Sequence, residues 1–215
     1  ATAYISARVW AEPYINGKRL DEKEVMAPAH SRKKNNAYLR AYDVTDFLKQ
    51  GKNTVGVVLG NGYSDHFRPH ACYVGGKALW ALISVTFTDG SYAHVISDRS
   101  WKWSEGPITK DHLYDGEWYD ATRAIEGWNT PDYCDKGWEN AVVSEYANTL
   151  VPLFAPPVRI LGTRECVGIN KIADNKYIYD FKYNGSGVLK IKVKGEKGAE
   201  IVMHHAENIF PDGTL

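Results

Sequence analysis

The sequence has no excess charge of either sign and too few cysteines for a disulfide framework. Twenty-six lysine and arginine residues balance 26 aspartate and glutamate residues, so the overall charge does not favour binding to nucleic acid or to an anionic membrane surface. Cys72, Cys134 and Cys166 are odd in number and widely spaced, which predicts isolated thiols and no zinc site. The expected partner is therefore a neutral molecule.

Long apolar runs and helical periodicity are also missing. No segment is long and apolar enough to span a bilayer. The first residues also lack the charged segment followed by an apolar segment that is typical of a signal peptide. Because the chain starts within a strand-like run at residues 3–10 and stops within a motif, we expect it to be a fragment. The missing signal peptide therefore gives no information about the compartment of the parent protein. A short turn at residues 44–48, with Asp43 as its cap, is the best helical candidate.

Short alternating stretches separated by tight turns make up most of the chain. Residues 79–87 and 92–96 flank a turn at residues 88–90, which predicts a hairpin. Asn16-Gly17 lies between two strand-like runs and predicts a type I′ turn, because both central residues tolerate positive φ. The pattern therefore predicts an all-β protein.

The prolines within residues 151–157 favour an extended connector between two domains, since proline disfavours helices and central strands. We therefore predict a first domain at residues 1–150 and a second at residues 151–215. The first is predicted to be a jelly-roll β-sandwich of roughly eight strands. The second is predicted to be the opening part of another β-sandwich, with a hairpin formed by residues 188–193 and 200–204.

An ordered set of motifs carries a family resemblance. Acid and turn residues at 42–48 lead into a strand that ends in Gly60-Asn61-Gly62, and an aromatic and acidic cluster follows at residues 114–120. Together these motifs resemble the N-terminal β-sandwich module of bacterial α-L-rhamnosidases. Residues 177–187 and 205–215 are similar to the concanavalin-like β-sandwich that follows in the same enzymes.

The resemblance implies a parent enzyme, an inverting glycoside hydrolase that releases terminal α-L-rhamnose, whose location is expected to be periplasmic or secreted. Its catalytic carboxylates are expected in a separate (α/α)6 barrel, which nothing in this sequence matches. At residues 180–184 the family usually has Asp-Phe-Gly-Gln-Asn, whereas Lys182 and Tyr183 replace the glycine and glutamine here. We therefore predict that this fragment lacks the catalytic domain, and we assign no catalytic residue.

The acidic cluster of Asp115, Glu117 and Asp120 is the only catalytic candidate, because glycoside hydrolysis uses two carboxyl groups on opposite sides of the scissile bond. In a strand, Glu117 would point to the same face as Asp115, which gives like-charge neighbours and not a facing pair. A structural or interdomain role is the favoured interpretation for these three residues. Asn184 and Glu207, in the two later motifs, are assigned to the same class.

Sugar binding is the alternative for the first domain. Some rhamnosidases carry a sandwich of this kind that binds L-rhamnose with calcium, through an Asp-Asn pair in a loop. The corresponding residues here are Lys34, Asn35 and Asn36, and a lysine ammonium would repel a cation that needs oxygen ligands. Calcium is therefore doubtful and no cofactor or metal is predicted. Asn35 and Asn36 could still hydrogen-bond sugar hydroxyls or form a turn.

The glycine-bracketed segment at residues 61–76 is long, polar and aromatic, and predicts an exposed loop at one end of the sandwich. The candidate sugar-binding residues in it are Tyr63, Asp65, His66, Phe67 and Arg68. Loops that pack on a neighbouring domain use the same residue types. Two partners therefore stay open for this region: a carbohydrate, or the remaining domains of the parent chain.

Overall fold

A computed structural model describes residues 1–29, 36–62, 76–144, 149–211 and 214. Nearly all of its regular structure is β-strand, with two short 3-10 helices, Thr45–Phe47 and Ala121–Arg123, in the described part. The all-β prediction is therefore confirmed. The chain divides into two compact units, Ala1–Arg159 and Ile160–Leu215.

The strands of the first unit are β1 (Thr2–Ala7), β2 (Trp10–Ile15), β3 (Lys18–Arg19), β4 (Asn36–Asp43), β5 (Val55–Gly60), β6 (Leu79–Thr86), β7 (Tyr92–Ile96), β8 (Lys102–Trp103), β9 (Ile108–His112), β10 (Gly116–Tyr119), β11 (Glu139–Asn140) and β12 (Thr149–Pro152). The strands of the second unit are β13 (Gly168–Ala173) and β14 (Lys176–Asp180).

The first unit is built on a five-stranded sheet and a three-stranded sheet. The strand orders are β12-β4-β1-β6-β7 in the large sheet and β3-β2-β5 in the small sheet. In the large sheet Ile5 lies opposite Arg40 on one side and Ala81 on the other, so these side chains share one face. Residues of that face and of β2 form one buried apolar cluster, which is the core between the two sheets. Its buried members are Ala3, Ile5, Ala7, Ala11, Ile15, Tyr42, Val44, Ala81 and Ile83.

The two predicted hairpins of the first unit are confirmed. Asn16 and Gly17 have φ values of 51° and 82° between β2 and β3, as a type I′ turn requires. Strands β6 and β7 pair from Thr86–Tyr92 to Leu82–Ile96 without a register shift. The turn residues thus predicted the β2–β3 connection correctly, and the alternating pattern predicted the β6–β7 hairpin correctly.

The predicted short turn after β4 is the 3-10 helix Thr45–Phe47, whose N-cap is Val44 and not Asp43 as predicted. The Asp43 carboxylate accepts hydrogen bonds from the backbone N–H and the hydroxyl of Thr45, at 3.0 and 2.7 Å. These bonds lower the pKa of Asp43 below its ordinary value, the hydroxyl bond contributing most. Asp43 thus orders the entry to the turn, while the fully buried Val44 anchors it to the core.

Glu24, a buried acidic residue, makes hydrogen bonds to both sheets. Glu24 is only 3% exposed, and its Oε1 accepts a bond from Arg40 Nε at 2.7 Å while its Oε2 accepts a bond from the Tyr42 hydroxyl at 2.8 Å. Both donors lie on β4 of the large sheet. On the other side, the Arg19 guanidinium of β3 donates to the Glu24 backbone carbonyl at 2.6 Å. Burial, and then the neighbouring Glu24, raise the pKa of Tyr42.

The segment that leaves the sandwich remains attached to it. Strand β12 pairs in parallel with the start of β4, and its Pro152 lies at the sheet edge, where the missing N–H costs no ladder bond. Farther on, Val158 O accepts a hydrogen bond from Val25 N at 3.0 Å. The Arg159 guanidinium binds both oxygens of Asp21 at 2.5 and 3.1 Å. The first unit therefore extends to Arg159.

The second unit is far less buried. None of its described residues is buried, and large apolar side chains such as Ile169 and Tyr179 are 60% and 57% exposed. The predicted hairpin of residues 188–193 and 200–204 is wrong, because no strand is formed in either described segment. Alternation alone does not make a strand; a paired neighbour is also needed, and in the described part β13 and β14 pair only with each other.

The turn after β14 contains Lys182 and Tyr183, the two residues that depart from the family motif at residues 180–184. Lys182 has a φ of 46°, a conformation that glycine adopts at lower cost, and its N–H donates to Asp180 Oδ1 at 2.7 Å. The Tyr183 ring packs on Gly185, where a Cβ would collide with it. The Arg164 guanidinium lies over the same ring, 3.9 Å from the centroid of Tyr183. Local contacts thus hold the turn without the glycine of the motif.

We predict that Glu24→Gln destabilises the first unit by about 3 kcal/mol, as expected when one partner of a buried ion pair is removed. Arg40 and Tyr42 would then be left without an anionic acceptor. Denaturant titration monitored by tryptophan fluorescence measures the change. The matched control is Glu105→Gln, which breaks the exposed Arg123–Glu105 pair and should cost less than about 1 kcal/mol. Equal small losses in both variants would contradict the account.

We also predict that amides of residues 160–211 exchange faster than those of β1 and β6, because the second unit buries none of its described residues. Hydrogen exchange followed by mass spectrometry measures the difference. Pairing between chains would protect the second unit, so the sample must be shown to be monomeric. Equal protection in both units of a monomer would show that this expectation is wrong.

Candidate functional site

Most of the predicted sugar-binding residues lie outside the described residues. These are Asn35, Tyr63, Asp65, His66, Phe67 and Arg68, together with Lys34 at the doubtful calcium position. The described one is Asn36. It is the first residue of β4 and pairs with Thr149 of β12, so it belongs to a strand and not to the preceding loop.

The Gly-Asn-Gly end of β5 is held by Asp111 of β9. The carboxylate of Asp111 accepts hydrogen bonds from the backbone N–H and the side-chain amide of Asn61, at 2.5 and 2.8 Å. A further bond of 3.0 Å runs from Leu113 N to Gly62 O. The point where the chain enters residues 63–75 is therefore tied to the ribbon of β9 and β10.

Both glycines of this motif lie close to a neighbouring side chain. A Cβ at Gly60 would lie 3.2 Å from Asp111 Oδ2, and a Cβ at Gly62 would lie 3.1 Å from the Trp10 ring. Gly62 also has a φ of 54°, which a residue with a Cβ rarely adopts. The motif is thus explained by the approach of Asp111 and Trp10 to the backbone.

The three acidic residues of the predicted cluster have separate environments. Asp115 lies in the turn between β9 and β10, and its carboxylate is 3.5 Å from His112 Nδ1. Asp120 caps the second 3-10 helix by accepting bonds from the hydroxyl and N–H of Thr122 at 2.6 and 2.9 Å. These bonds lower the pKa of Asp120. Asp115 and Asp120 thus have local structural contacts.

Glu117 has a different anionic neighbour from the one expected. Asp115 is not in a strand, so the predicted same-face pair of Asp115 and Glu117 is wrong; Glu117 instead lies directly opposite Asp111 in the β9–β10 ribbon. Burial, followed by repulsion from Asp111 and Glu12, raises the pKa of Glu117. Glu12 itself is paired with Arg19 at 3.0 Å. The result is a group of neighbouring carboxylates, of which Asp111 and Glu117 lie side by side on one ribbon.

Sequence reasoning missed Asp111, which organises this surface. It lies in a short, mostly polar strand, Ile-Thr-Lys-Asp-His, and no local motif distinguishes it. The available signal was the register, because a turn at residues 113–115 places residue 111 opposite residue 117. That signal requires both strand boundaries to be known, and boundaries are the least reliable part of a sequence-based assignment.

The remaining predicted residues lie in the second unit. Asn184 and Glu207 are both exposed, and the structure gives neither of them a described hydrogen bond. Cys134 and Cys166 are free thiols, whereas Cys72 lies outside the described residues. Among the described residues, no group of three or more His, Cys, Asp or Glu side chains is arranged to hold a metal ion. The described part also contains no helix long and apolar enough to cross a membrane.

Comparison with known proteins identifies relatives across both units. Residues 1–162 match the model of the α-L-rhamnosidase N-terminal domain, and residues 170–215 match that of the bacterial α-L-rhamnosidase concanavalin-like domain. An α-L-rhamnosidase of Formosa agariphila is 31% identical over all of this chain and 24% of its own length. One of Streptomyces avermitilis is 28% identical over all of this chain and 21% of its own length.

Solved structures give the same result. The α-L-rhamnosidase of Dictyoglumus thermophilum matches with a TM-score of 0.78 and 35% identity, over 84% of this chain and 20% of that one. The S. avermitilis α-L-rhamnosidase matches with a TM-score of 0.78 and 25% identity, over 84% of this chain and 18% of that one. The chain thus spans about a fifth to a quarter of the length of these relatives. Because the N-terminal domain model covers well over half of it, the chain belongs to the α-L-rhamnosidase family, whose N-terminal domain it contains.

Proposed function

We propose that residues 1–215 are a non-catalytic accessory region of an α-L-rhamnosidase, a glycoside hydrolase that releases terminal α-L-rhamnose from glycans or glycosides. The observation that carries the proposal is the match of residues 1–162 to the N-terminal domain and of residues 170–215 to the concanavalin-like domain of these enzymes. In this role the region frames the catalytic domain of the parent chain and contacts its other domains.

The arrangement of the carboxylates supports an accessory role. Glycosidases place two carboxyl groups on either side of the scissile bond, with room for the sugar between them. Here Glu117 and Asp111 are neighbours on one two-stranded ribbon, and Asp111 is occupied by Asn61. The raised pKa of Glu117 is therefore explained by its surroundings, without a catalytic partner.

A carbohydrate-binding module is the second candidate. It is favoured by the S. avermitilis relative, which was solved as a complex with L-rhamnose, and by the anchoring of Asn61 and Gly62 to the β9–β10 ribbon. The anchor fixes the backbone of Asn61 and Gly62, which precede the candidate residues in the sequence: Tyr63, Asp65, His66, Phe67 and Arg68. In this role the first unit would bind rhamnose-containing glycans independently of the catalytic domain.

We predict that the isolated chain does not hydrolyse an aryl α-L-rhamnoside, whereas the full-length protein does. The physical reason is that Glu117, the catalytic candidate, lies beside Asp111 on one ribbon and not across a substrate from it. Release of the chromogenic aglycone measures both activities. The Glu117→Gln variant of the fragment is the control for a contaminating enzyme. Turnover that persists through purification of the fragment and disappears in Glu117→Gln would overturn the proposal.

We predict little or no calcium binding by the first unit, because Lys34 would place a positive charge where the sugar-binding relatives place an anionic ligand. Calorimetric titration of the chain with calcium should give no heat beyond dilution. The comparison variant is Lys34→Asp, which should create or strengthen binding if the alignment of this loop is correct. Tight binding by the unchanged chain that Asn35→Ala abolishes would contradict the prediction.

A further inference from the structure

Strand β7 forms one edge of the large sheet in the described part of the chain. All five of its residues are exposed, and three of them are large side chains, Tyr92, Val95 and Ile96, at 72%, 49% and 55% exposure. Within the described residues, the edge therefore combines backbone that no further strand pairs with and apolar surface on both faces of the strand.

The hydrogen-bond pattern shows which backbone groups of β7 face outward. Phe87 N donates to Ser91 O and Ser97 N donates to Ala81 O, and the register between these two pairs is continuous. Antiparallel ladders alternate between bonded and non-bonded pairs. Ala93 and Val95 therefore bond to β6, while the N–H and C=O groups of Tyr92, His94 and Ile96 point away from the sheet.

One end of this edge is already closed. The indole N–H of Trp101 donates to the outward carbonyl of Ile96 at 3.1 Å. No described residue hydrogen-bonds to the outward backbone groups of Tyr92 and His94. A donor and an acceptor on each residue thus remain for a short additional strand, which Trp101 would limit at the Ile96 end.

Nothing in β7 protects the edge from pairing. Exposed edges are commonly blocked by charged residues, proline or a β-bulge. The strand Tyr-Ala-His-Val-Ile has no lysine, arginine, aspartate, glutamate or proline, and its register with β6 has no bulge. The opposite edge differs, because β12 carries Pro152 and has only four residues.

We propose that β7 is a docking edge for an extended segment of the same polypeptide, outside residues 1–215, which adds a strand beside Tyr92–Ile96. The inference rests on the accessory role proposed above. It is favoured by the length of the relatives, of which about three quarters or more lies outside the matched region. Strand addition uses main-chain hydrogen bonds for affinity and side-chain contacts for specificity, and β7 offers both.

The test is residue-resolved hydrogen exchange on the full-length protein. Ala93 and Val95 are internal controls, because their N–H groups are bonded to β6 whether or not the edge is covered. A docked strand should slow exchange at Tyr92 or His94 by about tenfold or more, which corresponds to about 1.4 kcal/mol. Alternating exchange, with residues 93 and 95 protected and residues 92 and 94 at the unprotected rate, would overturn the proposal.

Two variants of the full-length protein separate docking from folding. His94→Pro removes an outward N–H without removing a bond to β6, so it should abolish the protection of Tyr92 while β1 and β6 stay protected. His94→Ala keeps the N–H and should retain the protection. Protection of Tyr92 that His94→Pro leaves unchanged would contradict strand addition.

A second copy of the protein is the other possible occupant of the edge. Protection of Tyr92 and His94 that disappears on dilution, together with dissociation of a dimer in sedimentation, would overturn pairing within one polypeptide. Activity of the same full-length sample on an aryl α-L-rhamnoside tests the proposed function separately. An active enzyme with an unprotected edge would refute this inference alone, whereas an inactive one would refute the accessory role.

Discussion

The first unit depends on a carboxylate in its interior. Glu24 is buried, and it binds Arg40 and Tyr42 on the large sheet while its backbone carbonyl receives Arg19 from the small sheet. A buried charge without such partners would be very unfavourable. Arg40 and Tyr42 therefore hold the carboxylate on the large sheet, while the bond from Arg19 holds the backbone of the same residue on the small sheet. Together these contacts favour a single arrangement of the sandwich. An isolated antiparallel β-bridge between the backbones of Glu24 and Arg159 ties the end of the first unit to the same residue.

A second polar contact, made by Asp111, organises another part of the unit. Asp111 binds Asn61 at the end of β5 and lies opposite Glu117, so it connects the ribbon of β9 and β10 to the small sheet. The carboxylates of this surface are therefore used for architecture and repel one another. This arrangement suits a domain that presents loops and edges to a partner better than one that protonates a glycosidic bond.

The sequence predicted the features that depend on local chemistry. Asn16 and Gly17 specify their turn, and the alternation of residues 79–96 specifies a hairpin. Glu24 and Asp111 could not be found in this way, because their partners are distant in sequence and neither lies in a motif. The hairpin predicted at residues 188–204 failed for a related reason. Alternation there identifies strand-compatible residues, but the pairing that makes a strand is a tertiary property.

Residues 1–159 form one compact unit, and the contacts of β12 and Arg159 make its last residues part of that fold. The most direct measurement is the unfolding of two truncated chains, residues 1–159 and residues 1–148, by denaturant titration. The account predicts that the longer chain unfolds cooperatively, whereas the shorter one, without β12 and the Arg159 contacts, is clearly less stable. Equal stability of the two chains, or an unfolded 1–159 chain, would contradict it.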